Sequence, residues 1–146
     1  MDLQLKGKVV FVTGGSKGIG SGITLSLARE GAIPVILTRS ALDDEFKSQL
    51  EAITTDYDFY QIDLNETDKI KGIVDEVAKR RGGIYGIVNN AGANDNKDLD
   101  STSWQDFEKS LHGNLTHYYE LVHASIDYLR ESKGSILNIG SKTALT

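Results

Sequence analysis

Val9-Val10-Phe11-Val12-Thr13-Gly14-Gly15-Ser16-Lys17-Gly18-Ile19-Gly20 is the stretch that decides the fold. A short apolar run ends in a glycine-rich turn. The turn opens a segment with apolar residues at Ile23, Leu27 and Ala28. The run reads as a buried strand and the segment after it as a helix packed on that strand. Glycines let the backbone approach a pyrophosphate closely, and a helix N-terminus presents unpaired N–H groups to it. A P-loop is excluded, because it needs a lysine directly after its closing glycine and Ser21 follows Gly20. The ordinary dinucleotide fingerprint has its first two glycines one residue apart. Here the spacing is reversed, with the wide gap between Gly14 and Gly18 and the narrow one between Gly18 and Gly20. A tight structural turn would use the same glycines, so the rest of the chain must decide.

Outward from this turn, short apolar runs repeat. Strands are expected at Val9–Val12, Val35–Thr38, Phe59–Ile62, Gly86–Asn89 and Ser135–Ile139, each bounded by turn residues. Helical patterns lie between them. Ile70, Ile73, Val74 and Val77 share one face, with Thr67 or Asn65 as N-cap and Gly82-Gly83 as the stop. A longer helical segment is expected from about Ser103 to Glu131. Strands alternating with helices imply an α/β, doubly wound parallel sheet with right-handed crossovers. Ligands then bind at the carboxyl ends of the strands. Those ends carry Thr13-Gly14, Arg39, Asp63, Asn89-Asn90-Ala91-Gly92 and Ser141.

Composition sets the class. The chain of 146 residues is 39% hydrophobic and 25% charged, which fits one globular domain over residues 1–146. A net charge of −5 argues against nucleic acid or an anionic membrane as partner. Cysteine is absent, which removes disulfides and Cys-based zinc sites. No apolar run reaches membrane-spanning length and no secretory segment opens the chain, so a cytoplasmic protein is the expectation. His112, His117 and His123 have no metal-ligand arrangement and read as packing or surface residues; no metal site is expected.

With these residues in view, the chain resembles the short-chain dehydrogenase/reductases over its entire length. Thr13-Gly14-x-x-x-Gly18-x-Gly20 matches that family's cofactor turn, including its spacing. Asn89-Asn90-Ala91-Gly92 matches its fourth-strand motif, Asp63-Leu64 its adenine contact, Asn114 its helix asparagine, and Ser141 its catalytic serine. The resemblance implies a Rossmann-like sheet in the order 3-2-1-4-5. It further implies an NAD(P)-dependent oxidoreductase acting on a small molecule and assembling as a tetramer. Cofactor contacts are implied at Gly14, Ser16, Lys17, Gly18, Ile19, Gly20, Asp63, Leu64, Asn90, Ala91 and Gly92. Ile19 would pack under the cofactor or into the core. Asn90 would hold the cofactor's adenosine side or tie strands together. Ser141 would hydrogen-bond the substrate, and Asn114 would anchor a water in the proton relay. Mid-helix asparagine is otherwise unfavourable.

Arg39 bears on cofactor choice. An acidic residue at the end of the second strand would bond a ribose 2′-OH and repel a 2′-phosphate. Thr38-Arg39-Ser40 holds no acid there, and Lys17 in the glycine turn is a second cation. The pair favours NADP(H), with NAD as the other possibility; Lys17 also reads as an exposed loop lysine. Asp95, in the polar loop after the fourth strand, is a candidate sugar contact or a solvated loop residue. Lys142, beside Ser141, is a further candidate substrate contact. Tyr118-Tyr119 reads as core or subunit contact.

Local strings narrow the resemblance to the family's bacterial L-fucose dehydrogenase branch. They are Ala32-Ile33-Pro34-Val35, Asn89 through Asp95, Asn114-Leu115-Thr116-His117-Tyr118-Tyr119 and Ser141-Lys142-Thr143-Ala144. A sugar or other secondary alcohol is then the expected substrate. A 3-ketoacyl-type carbonyl reductase and a non-catalytic nucleotide-binding fragment are the alternatives. The family's acid/base tyrosine is followed four residues later by a lysine. No tyrosine here has that partner: Gln61, Leu64, Asn89, Val122, His123 and Ser132 occupy the six positions. The 146 residues are therefore expected to be the catalytically incomplete amino-terminal part of a longer enzyme, or a naturally short relative. The carboxyl-terminal strands would be missing and the fifth strand left as an edge.

Overall fold

The computed structural model describes residues 2–142. Five strands run in one sheet: β1 (Val9–Thr13), β2 (Ile33–Thr38), β3 (Asp58–Gln61), β4 (Gly86–Asn89) and β5 (Ser135–Asn138). Their order is β3-β2-β1-β4-β5, and every pairing is parallel. The fold is thus the Rossmann-like α/β arrangement expected, with strand bounds within two residues of those read from the apolar runs.

The side-chain alternation of β1 divides the core. Val9 and Phe11 pack with Val35, Leu37 and Ile87 beneath helices α3 (Ile70–Arg81) and α5 (His117–Ser132). Val10 and Val12 point to the opposite face, where α1 (Gly18–Arg29) brings Ile23 and Leu27. On that same face α2 (Asp44–Glu51) adds Phe46 and Leu50 against Ile36. Both faces of the central strands are covered, which explains why they read as unbroken apolar runs rather than alternating ones.

Three local features differ from expectation. The α3 helix does not start on a capping Thr67 or Asn65. A 3-10 turn over Thr67–Lys69 leads into it instead, and no side chain caps it. It ends where expected, with Gly82 left-handed at φ +82°. The α2 helix was not signalled by a long apolar period. It is nucleated by Asp43, whose carboxylate accepts from the Phe46 N–H at 2.7 Å. The segment expected as one helix from Ser103 to Glu131 is two: α4 (Trp104–Leu111) and α5, joined by a π-helical turn over His112–Thr116. Ser103 and Asp106 form a reciprocal capping box at the start of α4.

The outer face of α4, the π-turn and α5 exposes Trp104, Phe107, Leu111, Leu115 and Tyr119. At the sheet edge β5 exposes Ile136 and Leu137. Tyr118 is half-buried and donates its hydroxyl to the Ile139 carbonyl, whereas Tyr119 stacks on His123 at the surface.

Candidate functional site

The carboxyl ends of β1, β2, β3 and β4 open onto a cleft of about 730 Å³. β1 delivers the glycine turn to it. Gly14 and Gly18 are left-handed, at φ +61° and +53°, a conformation that side-chain-bearing residues rarely adopt. Gly20 is required for another reason: a Cβ there would sit 2.0 Å from the Gly14 carbonyl oxygen and 2.6 Å from Asn90 Nδ2. The turn is held from several sides. The Gly14 N–H donates to the Leu37 carbonyl at 2.7 Å, and Thr24 Oγ1 donates to the Gly15 carbonyl at 2.7 Å.

Asn90 ties this turn to β4. Its backbone N–H donates to Thr13 Oγ1, and its Nδ2 donates to the Thr13 and Gly14 carbonyls at 3.0 and 3.3 Å. Its side chain is therefore engaged with backbone, and it also lines the cleft. The neighbouring Asn89 is buried and donates to Asn138 Oδ1 at 3.0 Å, which bridges β4 to β5.

The turn is built for an anion. The first turn of α1 has no acidic residue and no side-chain cap, so its amides and the positive end of its dipole are available. Ser16 is buried, lines the cleft, and its hydroxyl has no protein partner. Buried hydroxyls are normally hydrogen-bonded, so this one fits a phosphate or ribose oxygen. Lys17 and Arg39 line the cleft and make no ion pair among the described residues. Ile19 is 69% exposed into the same opening, so it is not a core residue here.

Asp63 and Leu64 form the β3 side of the cleft. Asp63 Oδ1 accepts from the Asn65 N–H at 3.0 Å, which folds the strand end into a tight turn. Ala91 and Gly92 continue the floor from β4, and Asn114 stands behind them. Asn114 Oδ1 accepts from the Ala93 N–H at 2.7 Å, and its Nδ2 donates to the Ser110 carbonyl at 3.0 Å. Asp95 also lines the cleft, in the loop after β4. Ser141 and Lys142 follow β5, are exposed, and are not among the lining residues. Thr143 and Ala144, the end of the last diagnostic string, lie outside the described residues.

Several lining residues carried no signal in the sequence. Lys97 forms an ion pair with Asp106 across the mouth. That pairing, reinforced by Ser103, holds the Asp106 carboxyl well below the usual carboxylate range. His117 is buried and lines the cleft behind Asn114. Thr13, the first residue of the glycine-turn motif, does not itself line the cleft; fully buried at the end of β1, it organises the floor from beneath. Among the described residues no cluster of His, Asp and Glu has a metal-holding geometry, and no helix is long and apolar enough to cross a membrane.

A parallel sheet in this order, with a glycine turn and an uncapped helix N-terminus at its switch point, defines a nucleotide-binding domain of the Rossmann type. The profile of the short chain dehydrogenase family matches residues 8–146. The chain belongs to that family. It is 34% identical to the L-fucose dehydrogenase of Bos taurus over 142 residues, 97% of this chain and 52% of that protein. It is 30% identical to the 3-oxoacyl-[acyl-carrier-protein] reductase of Thermotoga maritima, over 95% of this chain and 57% of that one. Among solved structures, Cj0485 dehydrogenase superposes with a TM-score of 0.95 at 48% identity, covering 100% of this chain and 56% of that chain. NADH-dependent reductase A1-R′, complexed with NAD, superposes with a TM-score of 0.88 at 25% identity, covering 99% of this chain and 63% of that chain. The chain spans about half the length of the curated relatives it matches. The named relatives are oxidoreductases, and the A1-R′ reductase structure that the chain resembles holds NAD.

Proposed function

We propose that the whole protein is an NADP(H)-preferring sugar dehydrogenase, and that this domain is its cofactor cradle. The observation that carries the reading is the unpartnered, buried Ser16 hydroxyl beside the open first turn of α1, flanked by the unpaired cations Lys17 and Arg39. In this reading the α1 amides and Ser16 take the diphosphate and ribose oxygens. Arg39 and Lys17 take a 2′-phosphate, where a charge-assisted hydrogen bond contributes about 1.5–3 kcal/mol. Asp63 and Leu64 bracket the adenine, Asn90 serves the adenosine side while tying the glycine turn to β4, and Ala91 and Gly92 continue the floor.

When bound, the cofactor supplies a hydride acceptor. The chain's own residues bind and orient. Ser141 would hold the substrate hydroxyl by a hydrogen bond, Asn114 would anchor a proton-relay water, and Asp95 and Lys142 would accept and donate to sugar hydroxyls. No tyrosine of these 146 residues is followed four residues later by a lysine, so no acid/base role is given to any of them. The substrate class follows the similarity to L-fucose dehydrogenase, which points to oxidation at the anomeric carbon of a deoxyhexose. Similarity to a 3-oxoacyl reductase supports a carbonyl reductase as the second reading. The exposed apolar face of α4 and α5 is the surface proposed for homotetramer assembly.

Trp104 is 67% exposed and does not line the cleft, so it is a poor reporter of binding. Titration is better followed by the fluorescence of the reduced nucleotide. NADPH should bind the full-length enzyme more tightly than NADH, and Arg39→Asp should invert that order. Unchanged preference in Arg39→Asp would remove the NADP(H) assignment. Turnover of L-fucose against a 3-oxoacyl thioester then separates the two substrate readings.

A further inference from the structure

The π-helical turn over His112–Thr116 frees the cleft-side asparagine from a regular helical position, and something must keep that turn from relaxing to an α-helix. π-turns are rare and less favourable than continuous α-helix. Two side chains reach back four residues onto carbonyls at this turn. Asn114 Nδ2 donates to the Ser110 carbonyl at 3.0 Å, and His117 Nε2 lies 3.1 Å from the Gly113 carbonyl. A carbonyl oxygen only accepts, so Nε2 carries the proton and Nδ1 is the unprotonated nitrogen.

We propose that His117 is a positioning residue: its Nε2–H holds the Gly113 carbonyl, keeps the turn π-helical, and thereby aims Asn114 at the Ala93 amide. His117 is 1% exposed and its Nδ1 has no protein partner. A buried polar atom without a partner costs stability. An apolar side chain of similar size would fill the space without that cost, so packing alone does not account for an imidazole here. The donor at Nε2 does. The consequence is long-range along the chain. Ala93 is exposed, and its N–H is held by Asn114 Oδ1 at 2.7 Å. A shift of the turn by one residue would rotate Asn114 by about 100° and release that amide. The loop after β4, which borders the cleft, would lose its anchor. The assignment rests on the fold alone and stands whichever cofactor the cleft prefers.

Amide hydrogen exchange at Ala93 in the full-length protein reads this directly. Asn114→Ala removes the acceptor and defines the unprotected rate. His117→Leu should speed exchange at Ala93 by about tenfold, the worth of one good hydrogen bond. His117→Gln, whose amide can reach the same carbonyl, should stay near the wild-type rate. If the Leu variant does not fold, His117→Met replaces it: its thioether has no N–H to give to Gly113, and Ala93 should exchange faster than in wild type by a similar factor. The proposal is overturned if His117→Leu, or Met in its place, leaves Ala93 protected while Asn114→Ala exposes it. It is also overturned if His117→Gln exchanges as fast as the Leu or Met variant, or if Asn114→Ala itself changes nothing.

Discussion

Thr13 accepts from Asn90 twice: Thr13 Oγ1 accepts from the Asn90 N–H at 2.9 Å, and the Thr13 carbonyl accepts from Asn90 Nδ2 at 3.0 Å. The same hydroxyl accepts from the Ala91 N–H at 2.9 Å. One fully buried oxygen thus fixes the two consecutive amides at which β4 turns into the cleft floor. Thr13→Val keeps the shape and removes the acceptor, leaving two part-buried N–H groups unpaired. Its expected cost is about 2–4 kcal/mol of stability, with weaker nucleotide binding because the floor is no longer pinned. Denaturant unfolding and a nucleotide titration check both; a stable variant with unchanged binding contradicts the role.

Gly20→Ala should be far more damaging than its size suggests. The new Cβ would lie 2.0 Å from the Gly14 oxygen and 2.6 Å from Asn90 Nδ2, so the helix start, the turn or the β4 end must move. Gly18 has open space around its Cβ direction, and a substitution there is strained only through its φ of +53°. The expected order is therefore that Gly20→Ala destabilises more than Gly18→Ala, which costs about 1 kcal/mol. Comparing the two melting temperatures tests it.

Much of this was legible in the sequence because the signals were redundant. Five apolar runs ending in polar residues gave the parallel sheet, and the glycine spacing at Gly14, Gly18 and Gly20 placed the cleft. The break between α4 and α5 was hidden. Apolar residues at Phe107, Leu111, Leu115 and Tyr118 carry a helical period straight through it, and a π-turn adds one residue without any glycine or proline punctuation. The only local hint was an asparagine where helices disfavour it. Thr13 was legible as the polar end of the first strand, but its role as acceptor for two consecutive amides of the β4 end was not, because β-branched residues are ordinary in strands and pairing across the sheet is not written locally. The Lys97–Asp106 pair joins a loop to a helix, and loop geometry is not written in periodicity.

The outer edge of the sheet depends on a charge clamp. Asp58, on β3, takes a bidentate pair from Arg81 at 3.0 Å on each oxygen and a third bond from Arg80 at 2.9 Å, fastening the strand to the end of α3. Burial pushes the Asp58 carboxyl up, but the bonds from Arg81 and Arg80 more than reverse this and hold it below 3.8. A carboxyl lowered on folding stabilises fully above its unfolded value and loses that contribution as pH falls through the folded one. Asp58→Asn should cost about 1–3 kcal/mol at pH 7. The gap from wild type should narrow below pH 3.8. Urea unfolding of both proteins at the two pH values decides it.

His117 gives the opposite end of the site an acid sensitivity of its own. Burial lowers its pKa below the ordinary 6.5; the bond to the Gly113 carbonyl works against this, and the charge of neighbouring His112 adds to it. Protonation would place a second N–H at Nδ1, where no acceptor is present. The unfolded chain therefore binds this proton more readily than the native one. Stability from the neutral imidazole is complete above about 6.5 and declines as pH falls below it, until the folded group itself protonates. For one proton the slope cannot exceed about 1.4 kcal/mol per pH unit. His117→Gln keeps a donor for Gly113 and removes the titration. Its unfolding free energy should be flatter than wild type as pH drops from 7 toward 5, while the two proteins run parallel above pH 7. Equal slopes below 6.5 would show that the imidazole titrates alike in both states, against the burial described here.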